Sequence, residues 1–203
     1  MVIHSKFIWL HLGKAAGTSV RYALKNTFPE AYVATDNKPL KHANHEIAKK
    51  YNLNVPEHLP FCICFRKLES WVVSHLMQQY GDEIPKRIWN KTLNGDLCLS
   101  ENSLARKEGV FEGINTIDDL LKYYIGCKTP YFIRSEFLLY DFVNFFKSIG
   151  IEGSRINQFT NHLSNLKLNQ RVGGGLELQC NELAILKASC PYWFSIQQSI
   201  YTK

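Results

Sequence analysis

Residues 7–24 read FIWLHLGKAAGTSVRYAL, an apolar run, a loop of small residues and the start of a helix with almost nothing between them. The first part is a strand's length, which sets a strand over Lys6–Leu12, and the spacing after the loop predicts a helix over Thr18–Asn26. Thr18 and Ser19 are natural helix-capping residues. The first N–H groups of a helix have no intrahelical partner and stand at the positive end of the aligned peptide dipoles, so this junction stabilises an oxyanion. Ala15, Ala16 and Gly17 allow close backbone approach, Lys14 adds a mobile charge, and the hydroxyls of Thr18 and Ser19 add donors. A strand–turn–helix connection with no ligand would use Gly17 and Ser19 in much the same way.

Working outward, further strands are expected at Ala31–Thr35, Pro60–Phe65 and Thr129–Arg134, with a helix over Ala43–Tyr51 between the second and third. The order β-α-β-α-β argues for a parallel sheet covered by helices, an α/β three-layer domain. Leu68, Trp71, Val72, His75, Leu76 and Gln79 recur at helical spacing and define a helix over 68–80. Thr116 with Asp119 resembles a capping box and Gly126 a stop, framing a helix at 117–125. Leu138, Phe142, Phe145, Phe146 and Ile149 make one apolar stripe ended by Gly150. Residues 181–201 are helical with an interruption at Pro191. Residues 82–115 and 153–177 read as long loops, functional lids or disordered segments.

At 203 residues, 45% of them hydrophobic and 21% charged, the chain suits one soluble globular domain. Its net charge of +6 is scattered rather than run together, which favours a folded anion site over a basic nucleic-acid arm. The six cysteines, Cys62, Cys64, Cys98, Cys127, Cys180 and Cys190, show no C-x-x-C spacing, so reduced thiols and a cytoplasmic location are expected. No apolar run reaches the length of a membrane span.

The loop is not that of a nucleoside triphosphatase, whose lysine follows its second glycine, whereas Lys14 precedes Gly17. The run FCICF at 61–65 leads into Arg66 rather than an aspartate, offering a second anion a guanidinium where Mg²⁺ chemistry would want a carboxylate. Ser74 lies eight residues further on, two turns into the next helix, and with Arg66 it could hold one phosphate. A surface arginine and an ordinary helix serine would present the same two letters.

These residues together resemble the sulfotransferases that use 3′-phosphoadenosine 5′-phosphosulfate, especially the carbohydrate and heparan-type branch. His11, Lys14, Ala15, Ala16, Gly17, Thr18 and Ser19 match the family's 5′-phosphosulfate loop H-x-P-K-[TA]-[GA]-G-T-S, with Gly13 in place of its proline. Arg66 and Ser74 match the 3′-phosphate motif R-[DN]-P-x-x-R-x-x-S, with Lys67, Leu68 and Trp71 departing from it. KHANHEI at 41–47 is similar to a histidine-containing family segment, and Glu136, Leu138 and Asp141 to E-x-L-x-x-D-F before a helix, so the likeness covers about residues 6–150.

The resemblance implies a P-loop NTPase-like three-layer fold with a central parallel sheet, and a donor whose product is adenosine 3′,5′-bisphosphate. It assigns the 5′ end to Lys14 and residues 15–19, the 3′-phosphate to Arg66 and Ser74, and stabilisation of the leaving oxygen to Lys14, with no metal expected. His42 is the favoured base for the acceptor hydroxyl, His45 the alternative, and His11 a support for the loop. The acceptor would be a glycan, a glycolipid or a small hydroxyl metabolite. A non-catalytic binding relative of the same fold and, less favoured, a small-molecule kinase are the other readings.

Overall fold

A computed structural model describes residues 1–34, 44, 48, 53–101, 103, 109, 111–126, 129–166 and 176–202. In chain order its elements are β1 (Val2–His4), β2 (Phe7–Leu10), α1 (Gly17–Thr27), β3 (Tyr32–Val33), β4 (Phe61–Phe65), α2 (Leu68–Tyr80), α3 (Lys86–Leu93), α4 (Ile117–Ile125), β5 (Tyr131–Arg134), α5 (Leu138–Ser148), α6 (Gly153–Asn165), α7 (Cys180–Ser189) and α8 (Pro191–Tyr201). They fall into two compact units, Met1–Phe65 with Cys127–Val172, and Arg66–Gly126 with Gly173–Lys203. The helix expected over Ala43–Tyr51 lies almost wholly outside the described residues. Among the described residues no helix is long and apolar enough to cross a membrane.

The first unit holds a five-stranded sheet in the order β3-β1-β2-β4-β5, flanked by helices. Every residue of β2 and β4 is buried, the pattern of strands covered on both faces. β2, β4 and β5 run parallel, Trp9 opposite Cys62 and Cys64 opposite Ile133. The Trp9 indole N–H donates to Cys64 Sγ at 3.3 Å, tying the two central strands through their side chains.

The sheet is mixed, which corrects the expected all-parallel arrangement. β1 forms a hairpin with β2 and pairs antiparallel with β3 on its other side. β3 therefore runs in the same sense as β2, as a helical crossover requires, but β1 occupies the place beside it. Three residues, Val2–His4, are too few to show a period of two, so the hairpin left no pattern in the sequence.

Residues 153–165 form α6 rather than a loop, burying Ile156, Phe159 and Leu163. Phe159 meets Phe142 at 4.9 Å and Phe146 at 5.0 Å between ring centroids, and α6 packs against α1 and α5. The abundant Ser, Asn and Gln of this helix lie on its outer side and masked the apolar stripe. α3 likewise interrupts the expected 82–115 loop, with Thr92 and Leu93 buried.

In the second unit α2 and α4 keep the bounds expected for them, and Asp119 N donates to the Thr116 side chain at 3.0 Å. Pro191 is the first residue of α8, where a missing N–H costs nothing. The next two N–H groups, of Tyr192 and Trp193, both donate to the buried carboxylate of Asp118 at 2.8 Å. The proline thus starts a new helix, and Asp118 supplies the negative charge that its N-terminus favours.

Cys62, Cys64, Cys98, Cys180 and Cys190 are free thiols, and Cys127 lies outside the described residues. Burial pushes the thiols of Cys64 and Cys190 up to about 12 and that of Cys62 well above its ordinary value of 9.0. Native protein should expose Cys180 to a thiol reagent while Cys62, Cys64 and Cys190 react only after unfolding. These buried thiols keep their protons in the folded state while unfolded ones ionise near pH 9. For Cys64 and Cys190 the contribution is complete below that value and is lost as pH rises toward about 12. The urea midpoint should fall over that range. Rapid labelling of all of them in the native state would refute the expectation.

Candidate anion site

The loop between β2 and α1 is built around one close approach. His11 is buried and stacked on Trp9, with centroids 5.2 Å apart and 21° between planes. Its ring lies against the backbone of Gly17, where an added Cβ would stand 1.7 Å from His11 Nε2. Gly17 has ordinary negative φ, so glycine is required here for space rather than for backbone freedom.

Between these two residues the backbone alternates. Lys14 and Ala16 have φ of 65° and 61°, while Ala15 between them stays negative and is fully buried. Residues with a Cβ enter this region at a cost of roughly 1 kcal/mol each, and such strain collects at ligand-binding turns. Alternation of this kind directs neighbouring N–H groups into an anion-binding concavity.

Ala16 takes the N-cap position and α1 begins at Gly17. Thr18 and Ser19 consequently fall in the first turn rather than capping it, because the left-handed Ala16 turns the chain into the helix two residues early. No side chain among the described residues caps α1, and its first turn carries no acidic residue. Lys14 and Ser19 are half-buried and Thr18 is exposed.

Arg66 is the residue that follows β4 in the chain. Arg66 and Ser74 belong to the second unit and are half-buried, Ser74 six residues into α2 on a face it shares with Ser70. His42 and His45 lie outside the described residues. An open pocket lined by Pro60, Phe61, Pro130, Tyr131, Phe145 and Ile149 sits at the amino ends of β4 and β5, the opposite edge from the loop.

Glu136 is exposed, whereas Asp141 is buried and receives three hydrogen bonds from Arg134, from the backbone N at 2.8 Å, Nε at 2.9 Å and Nη2 at 2.7 Å. This motif therefore fastens the end of β5 to α5. Arg134 carries that role unnoticed in the sequence, although an arginine seven residues before a lone aspartate in an aromatic stripe was its visible sign. Compared with protein-family models, with curated proteins and with solved structures, the chain matches none.

Proposed function

We propose that this chain is a sulfotransferase moving a sulfuryl group from 3′-phosphoadenosine 5′-phosphosulfate to a hydroxyl of a carbohydrate or glycoconjugate, on a P-loop NTPase-like three-layer fold. The observation that carries the reading is the loop, where Lys14 precedes Gly17 within a strained turn that opens an acid-free helix start. Supporting it is the sequence likeness of Arg66 and Ser74 to a 3′-phosphate motif.

The acceptor oxygen attacks sulfur in line as the bond from sulfur to the 5′-phosphate oxygen breaks. Its proton passes to a base, for which His42 is favoured over His45. Amides of residues 15–19 hold the 5′-phosphate, and Lys14 neutralises charge on the departing oxygen, donors in place before the charge develops.

Calorimetric titration with adenosine 3′,5′-bisphosphate tests the donor site. Saturable binding is expected, and Lys14→Ala should weaken it by about 10- to 100-fold, the worth of a hydrogen bond to a charged group, without changing the circular dichroism. Unchanged affinity would remove Lys14 from the site. Incubation with labelled donor and glycan or lipid extracts then tests transfer. The departures at Gly13, Lys67 and Leu68 favour one second reading, a binding relative without turnover, which binding without transfer would establish.

A further inference from the structure

The three consecutive residues that follow β4, Arg66, Lys67 and Leu68, are each met by a side chain of the last helix. The Trp193 indole N–H donates to the Arg66 carbonyl at 3.1 Å. Gln197 Oε1 accepts from Leu68 N at 2.7 Å, and Lys67 Nζ lies 5.3 Å from the centre of the Tyr201 ring. Residues 193, 197 and 201 follow one another at intervals of four and so lie along one face of α8. Every residue named belongs to the second unit.

Two of the three departures from the 3′-phosphate motif, Lys67 and Leu68, are part of this grip. Leu68 is the first residue of α2, where a proline would leave no N–H to satisfy. Leucine restores that donor, and Gln197, itself buried, takes it. Gln197 is oriented in turn by Glu69, whose Oε2 accepts from its Nε2 at 3.2 Å. Lys67 replaces an acidic or amide residue, and its ammonium rests over Tyr201. Trp193 is fully buried, 4.8 Å from Trp71, and Asp118 fixes the start of its helix. The backbone on either side of Lys67 is therefore anchored to α8 rather than left as a loop.

Resting on the donor reading above, we infer that Trp193 and Gln197 are positioning residues that set the direction of Arg66 and hence the preference for a nucleotide bearing a 3′-phosphate. They do not touch the ligand, so their effect falls on one phosphate only.

Calorimetry on the full chain with adenosine 3′,5′-bisphosphate and with adenosine 5′-monophosphate separates this from general support of the fold. The wild type should prefer the bisphosphate. Trp193→Phe and Gln197→Met should each reduce that preference about tenfold, as befits one lost buried hydrogen bond, with monophosphate affinity unchanged. If Trp193→Phe does not fold, Gln197→Met decides. A folded variant with the wild-type preference, or an equal loss for both nucleotides, overturns the inference while leaving the donor reading intact. No preference in the wild type overturns both.

Discussion

Asp141→Ala is expected to lower the stability of the first unit by about 3–5 kcal/mol, the cost of deleting one partner of a buried ion pair. The Asp141 side chain is 6% exposed and answers Arg134 through two side-chain donors and the backbone N–H. Without it the guanidinium, 22% exposed, keeps little water to replace what it loses. Asp141→Asn retains an acceptor and should cost less. Urea unfolding followed by tryptophan fluorescence would measure both, and an alanine variant within about 0.5 kcal/mol of wild type would show the pair to be ornamental.

The second large effect belongs to Gly17→Ala. A methyl group there overlaps the His11 ring, whose Nε2 and Cδ2 would stand 1.7 and 1.9 Å away. The ring is held between Trp9 and the loop, so relief requires moving the loop itself. A loss of at least about 3 kcal/mol is expected, at the upper end for overpacking, together with loss of bisphosphate binding. His11→Ala should abolish that penalty, so the double variant His11→Ala/Gly17→Ala would be no less stable than His11→Ala alone. A penalty surviving in the double variant would place its origin elsewhere.

The parts legible in the sequence are those governed by local chemistry. FCICF and FIWL announce themselves as central strands because all their residues are apolar, and Thr116 with Gly126 bounds α4 because caps are local. The turn between β2 and α1 is legible for the same reason, since small residues set directly between an apolar run and a helix start mark a tight connection. The cap at Ala16 is not legible, because its left-handed turn is a property of the folded loop, with no marker such as glycine. β1 and α6 are illegible for opposite reasons, one too short for any period and the other diluted by polar residues. The contacts of Trp193 and Gln197 with residues 66–68 span more than 120 positions of chain and follow only from tertiary packing.

The arrangement of β4 and β5 also bears on how the chain reaches this state. They are parallel neighbours in the sheet, yet residues 66–126, all of them in the second unit, are strung between them. The β1–β2 hairpin is assembled from adjacent residues and closes only a short loop, whereas β5 can join β4 only by closing one of more than sixty residues. Loop entropy grows only slowly with length, but its cost must be met before the pairing gives anything back, so such contacts lengthen the search. Collapse of the intervening helices shortens the effective loop. The β1–β2 hairpin is therefore expected to pair before β5 joins β4, an order that hydrogen-exchange labelling during refolding would check.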